Sequence, residues 1–430
     1  MRRKAFARDA DPKRPRRRGR FRGAGPQTTN VVAATLAVTF ALVAGWNTYR
    51  YPSSGGYDVR QHEQYADLLI HHGEIPGAGT RSEYYTPPGF YALAGAATVI
   101  GEHVHSGDPH KLGQALNWLV LLATAGVLWL LARELFPGRA WPRIATLGFF
   151  CFLPVVLRVG AMFHPEPLSM LLSAVALLLA ARILGRRDDR LPVAITCGVA
   201  LGLAQLVRAF SLWTFAAVVI ALLVARAPWR SLAAVVIATA VVASPWYIRQ
   251  AVKYGNPVFD RPTPHEAIWD RRPVSFYLGL GLPSVFTHPI RPHFVNEAIP
   301  TTYSDLWGDY FGVWHGNRER QSFLGLLPTL LAVAGWIALL VGALRTPARL
   351  PVALLPGLGI LGYLYFTVSY PTADGDVLKA SYMLTTAPAW ALGFGVACEW
   401  IAARGRRWEI ALATVLGVSA LLSLPFLLYD

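Results

Sequence analysis

Long apolar runs separated by short polar turns repeat from Asn30 to the C-terminus of this 430-residue chain. Runs of roughly 17–25 residues match a hydrocarbon layer ~30 Å thick at about 1.5 Å per helical residue. The pattern predicts eleven spans, at 30–48, 113–133, 143–163, 167–185, 191–207, 210–226, 230–248, 322–344, 350–369, 381–402 and 408–428. A bilayer offers no partners to open backbone groups, so successive runs of this kind form a helical bundle. One more apolar stretch, Gly89 to Ile100, follows Pro87-Pro88 and is too short to cross. It reads as an interfacial or re-entrant helix, with proline suited to its first turn.

Composition agrees with that pattern. Hydrophobic residues make up 54% of the chain and charged residues 15%, where a soluble domain carries about a quarter. The net charge of +15 invites a nucleic-acid reading, but its placement argues otherwise. Arg2, Arg3, Lys4, Arg8, Lys13, Arg14, Arg16, Arg17, Arg18, Arg20 and Arg22 crowd the N-terminal tail, and further arginines punctuate alternate inter-helical turns. Those turns hold Arg133/Arg139/Arg143, Arg186/Arg187/Arg190, Arg226/Arg230, Arg345/Arg349 and Arg404/Arg406/Arg407. Basic residues are retained on the cytoplasmic side and attract anionic lipid headgroups, so membrane lipid is the expected partner and nucleic acid is not. The tail, 1–27, is then cytoplasmic and, being rich in Pro and Arg, expected to be disordered. It has no small-residue cleavage site after the first apolar run. The membrane domain is 28–430, and an odd span count places Asp430 outside a cell membrane. Cys151, Cys197 and Cys398 all fall in apolar runs, with no disulfide or metal spacing.

The same topology gathers the polar chemistry on the outer side, in segments 51–112 and 249–321 and short turns at 164–166, 208–209 and 370–380. In the first segment Asp58, His62 and Tyr65 fall at i, i+4 and i+7, one face of a helix. A carboxylate beside an imidazole suits a general base or a cation site, and equally a solvated helix with ordinary charge pairs. Glu166, in Phe163-His164-Pro165-Glu166-Pro167, stands at an outer turn, as an acidic site residue or a solvated glutamate. Arg208 and Lys379 lie at the outer rim, where a cation anchors a helix at the interface or meets a phosphate. His62 with Asp58, or His164 with Glu166, could hold a divalent cation, though neither spacing is specific for one. No other cofactor is expected. Phosphate-binding glycine loops, dinucleotide fingerprints and His-Glu-x-x-His are absent, and the cytoplasmic turns are too short to bind a nucleotide.

Several strings, in order, resemble GT-C superfamily glycosyltransferases of the glycosyltransferase family 39 type, which include protein O-mannosyltransferases and aminoarabinose transferases. The first outer segment carries Asp58-x-x-x-His62-x-x-Tyr65, then Gly73-x-x-Pro76, then Thr86-Pro87-Pro88-Gly89-Phe90-Tyr91. Ser244-Pro245-Trp246-Tyr247-Ile248-Arg249-Gln250 with Lys253-Tyr254-Gly255-Asn256-Pro257 is similar to a second family signature, with Gln250 where Asn is commoner. Thr86 stands where the family has His or Lys, and Val59 replaces the second member of an acidic pair. Arg81 is the nearby cation that would replace the lost charge.

The resemblance covers about residues 30–405 and implies an all-α, polytopic GT-C-like bundle. It also implies transfer of a sugar from a polyprenyl-phosphate donor to a glycan, lipid or protein acceptor outside the membrane. By it, Asp58 is the catalytic base of an inverting displacement, while His62, Tyr65, Arg81, Glu166, Arg208, Lys379 and Tyr382 bind substrate. The Ala-, Arg- and Gly-rich usage suggests a high-GC bacterium, where mannosyl or arabinofuranosyl polyprenyl phosphate is an ordinary donor. A transporter or flippase of lipid-linked glycans, and a surface-polysaccharide polymerase or ligase, are the rival readings. The segment 301–310, with Asp305 and Asp309 among aromatics, fits acceptor binding or a structural cap equally.

Overall fold

The computed structural model describes residues 26–78, 83–104, 107–186, 191–258, 272–294, 297–314, 316–369 and 378–430. Residues 1–25 of the expected tail, Arg81, and 370–377 of the last outer turn lie outside the described residues. Each expected span coincides with helix: Pro26–Arg50, His110–Leu135, Ala140–Cys151 with Pro154–Gly160, Glu166–Arg186, Leu191–Val207, Leu212–Val224, Trp229–Tyr254, Arg318–Ala343, Leu350–Ser369, Ala387–Ala402 and Arg406–Leu427. No strand occurs among the described residues. Seven helices are long and apolar enough to cross a membrane, and a bent pair makes an eighth if counted as one span. Leu191–Val207, Leu212–Val224 and Ala387–Ala402 are shorter, so length and composition alone do not reach the expected eleven crossings.

The chain is an all-α, multi-pass membrane protein. Its core is built on Glu166–Gly185, the most buried of the long helices, while Arg318–Ala343 and Arg406–Leu427 are peripheral. Leu330, Ile337, Val341 and Leu421 are exposed on those outer helices, an apolar surface that water would not tolerate but lipid does. The expected straight span 143–163 is broken at Phe152 and Leu153, where the two halves bend by 53°. Pro154 opens the second half at a first-turn position, where its missing N–H costs nothing.

The two ends of the bundle differ. At one end, Arg139 stands 3.8 Å from Glu399, and Arg349 donates to the Leu135 carbonyl at 3.3 Å. Beside them Arg404 lies over the Trp400 ring at 3.6 Å. The opposite end carries the two long polar segments, including the helices Val59–His72, Gly89–His103 and Ala298–Trp307. The helix that starts at Gly89 sits hard against Leu191–Val207: a Cβ on Gly89 would lie 2.7 Å from the Leu206 carbonyl oxygen.

Candidate active site

Four short stretches meet at this polar end. Asp58 caps Val59–His72 and has φ 53°, ψ 16°, a left-handed conformation that Asp adopts more readily than most residues. That turn aims its carboxylate at Lys379, with Nζ donating to Oδ2 at 2.6 Å. Lys379 precedes the 3-10 turn Ala380–Thr386, is itself buried, and lies over the rings of Tyr57 at 5.5 Å and Tyr382 at 5.9 Å. Burial pushes the Asp58 carboxyl upward, but the charge and hydrogen bond of Lys379 outweigh it and hold the group at about 2. Lys379 itself is raised: burial opposes its charge, and Tyr382 and Asp58 more than compensate.

Beside this pair stands a second. Glu166 opens Glu166–Arg186, where the positive end of a helix favours a carboxylate. Its Oε1 accepts from Arg208 Nε at 2.7 Å, and its Oε2 lies 2.8 Å from His164 Nδ1. Glu166, Arg208 and His164 are all buried. Asn117 fixes the turn by donating to the carbonyls of Met162 and His164 at 2.9 and 2.8 Å. Arg208 also faces the Tyr382 ring, at 5.6 Å, so Tyr382 has one cation of each pair against it. Two cations thus converge on one aromatic ring, each already paired with a carboxylate of the chain.

His62 joins the two halves. Its ring meets His164 edge-on at 4.8 Å, and Nδ1 is 2.8 Å from the Tyr91 hydroxyl. Burial, with the nearby charges of His164 and Arg208, pushes the His62 imidazole well below its usual value and keeps it neutral. Tyr65 stacks on Tyr91 at 3.8 Å and donates to the Thr86 carbonyl at 3.1 Å. Thr86 and Tyr91 share a hydrogen bond of 2.9 Å, so the residue before Pro87-Pro88 ties the segment together. Glu83, buried beside them, has its carboxyl raised by burial and by the charge of Asp58.

Asp58, Glu166, Arg208, Lys379 and Tyr382 are thus brought into one cluster, with His62 behind them. Tyr65 is fully buried, its hydroxyl used within the first segment. Reading the sequence missed Tyr57 and Arg158, noted Thr86 only as a departure from the family string, and left Asp305 without a role. An arginine inside an apolar run was the available signal for Arg158. As for a divalent cation, no group of three or more His, Cys, Asp or Glu among the described residues could hold one. The two central carboxylates are each already met by a cation of the chain.

No family model matches the sequence, and no curated protein does. Solved structures do resemble the fold. ArnT from Cupriavidus metallidurans bound to undecaprenyl phosphate aligns with a TM-score of 0.52 and 18% identity, covering 93% of this chain and 65% of that one. The Archaeoglobus fulgidus oligosaccharyltransferase in complex with Zn and sulfate gives 0.56 and 14%, over 94% of this chain and 53% of its own. The arabinofuranosyltransferase AftD from Mycobacteria gives 0.53 and 18%, over 93% and 27%. This chain therefore spans between about a quarter and two thirds of the structures it resembles. Its fold is that of the GT-C glycosyltransferases.

Proposed function

We propose that this chain is a membrane glycosyltransferase that moves a sugar from a polyprenyl-phosphate donor to an acceptor on the extracytoplasmic face of a bacterial cell membrane. The observation that carries this reading is the double ion pair, Asp58 with Lys379 and Glu166 with Arg208, both cations facing Tyr382. The similar structures support it, one with undecaprenyl phosphate bound.

The chemistry follows from the charges. An acceptor hydroxyl attacks the anomeric carbon from the side opposite the phosphate; the new C–O bond forms as the bond to the phosphate oxygen breaks. Asp58, which is 40% exposed and so reachable, accepts the hydroxyl proton. The electron pair leaves with the lipid phosphate, whose charge Lys379 and Arg208 meet where water is scarce. Lys379 stands between the two roles. While it is bound to Asp58 the carboxylate is a weak base; a donor phosphate that draws Lys379 to itself leaves Asp58 a better one. Glu166 keeps Arg208 in place, because an unpaired buried guanidinium is costly.

One observation favours a lipid-glycan flippase instead: the broken span at Phe152, since transporters build sites on broken helices. That break is single among the described helices, and the arginine it carries is bound to Asp305.

Purified protein in lipid nanodiscs, given radiolabelled mannosyl or arabinofuranosyl polyprenyl phosphate and an envelope-glycan extract, separates the readings. The expected outcome is label moving to the extract, with Asp58→Asn abolishing it at unchanged expression and thermal midpoint. Near-full transfer by that variant would sink the catalytic role of Asp58. Label crossing vesicles with no bond made would favour the flippase.

A further inference from the structure

Behind the Asp58–Lys379 pair lies a buried network that the reaction as described does not use. Asp305, next to the end of Ala298–Trp307, is fully buried. Its Oδ1 accepts from the Tyr57 hydroxyl at 2.6 Å and from Arg158 Nη2 at 2.7 Å. Its Oδ2 accepts from the backbone N–H of Ala380 at 2.7 Å. Tyr57 immediately precedes Asp58, and Ala380 immediately follows Lys379. One carboxylate therefore holds the chain neighbours of both members of the pair.

Arg158 completes the arrangement. Besides the Asp305 carboxylate, it donates through Nη2 to the Asp305 carbonyl at 2.5 Å and through Nη1 to the Gly308 carbonyl. A cation at those terminal carbonyls meets the negative end of a helix. Arg158 sits in Pro154–Gly160, the half-span beyond the 53° break, and is 1% exposed. Three segments far apart in sequence are thereby locked to one another, around residues 57, 305 and 380. The neighbouring Asp309 does separate work: it accepts from the N–H groups of Val313 and Trp314 and from Arg318, closing its own turn.

We infer that Asp305, anchored by Arg158, is a positioning residue that sets the Asp58 carboxylate and the Lys379 amine in register through Tyr57 and Ala380. The segment 301–310 then serves the reacting pair from behind and need not touch the acceptor. This rests on the reading of Asp58 and Lys379 as reacting groups, and misplacing such groups by about an ångström costs up to ~100-fold in rate.

Tyr57→Phe removes one hydroxyl and keeps the ring that lies against Lys379. Arg158→Met with Asp305→Leu replaces the buried pair by apolar groups, a change that many folds tolerate. Both are assayed in nanodiscs by reductive methylation of lysines with mass-spectrometric readout, the exposed Lys253 serving as internal reference. The expected result for Tyr57→Phe is an unchanged thermal midpoint and Lys379 methylation faster by about three- to tenfold, the worth of one hydrogen bond. Transfer from the radiolabelled donors should show kcat lower by about tenfold with donor KM nearly unchanged. The double variant should show both effects more strongly; if it does not fold, Tyr57→Phe decides. Wild-type methylation of Lys379 in folded Tyr57→Phe overturns the proposal, and so does faster methylation with unchanged kcat. Should the wild-type protein move no sugar at all, the glycosyltransferase reading fails, while methylation still reports whether the network fixes Lys379.

Discussion

Asp58 combines a left-handed backbone, a half-buried carboxylate and a lysine partner at 2.6 Å. Asn tolerates that backbone nearly as well, so Asp58→Asn isolates the charge, whereas most other substitutions would add strain on the order of 1 kcal/mol. The sign of the pH dependence follows from the same contacts. Lys379 holds Asp58 at about 2 in the free enzyme, so the wild-type kcat/KM profile, which reports that state, should show no acid limb from this group above pH ~4. Without the lysine, burial is left to push the carboxyl upward. Lys379→Met should therefore leave a residual activity whose acid limb lies at higher pH than wild type. The check is the pH profile of kcat/KM for the two proteins in matched nanodiscs; coincident limbs would remove Asp58 as the titrating base.

Two helices of the bundle make their tightest approach at a pair of glycines. A Cβ on Gly335 would fall 1.7 Å from the Gly393 carbonyl oxygen, so Arg318–Ala343 and Ala387–Ala402 meet backbone to backbone. Lipid gives no hydrophobic drive for helices to associate, and close approach of small residues supplies the contact instead. Gly335→Val should separate them at a cost of about 1–3 kcal/mol, seen as a lower thermal midpoint in detergent. The effect should reach the site, because Ala387–Ala402 continues directly from the turn after Lys379. A Gly335→Val protein with wild-type melting would mean that this contact is dispensable. The break before Pro154 works at the same level: it ends one helix and begins another so that Arg158 lies beneath the site.

At the scale of the molecule, Arg139, Arg349 and Arg404 stand at one end and the double ion pair at the other. With the arginine end cytoplasmic, Glu74→Cys should react with a membrane-impermeant maleimide added to intact cells, and Ala403→Cys only after permeabilisation. Both positions are exposed, and the native Cys151, Cys197 and Cys398 are buried, which keeps background labelling low. The reverse labelling pattern would invert the proposed sidedness of the site.

Much of this was legible in the chain. Span positions follow from apolar run length, because a bilayer fixes helix length and forbids open backbone. Glu166, Arg208 and Lys379 stand out as charged residues at the ends of apolar runs in a sequence with few of them, while Tyr382 and the role of Asp58 came from the resemblance. Their pairing was not legible: residues 58 and 379, or 166 and 208, meet only when helices far apart in sequence are packed. Arg158 shows the difference most clearly. In sequence it is a lone cation within an apolar run; in the fold its charge is met by Asp305 and two helix-terminal carbonyls. Apolar periodicity depends on local spacing and determines where helices form. Which buried charges neutralise one another depends on three-dimensional proximity in a low-dielectric interior, and that was decided by the tertiary structure alone.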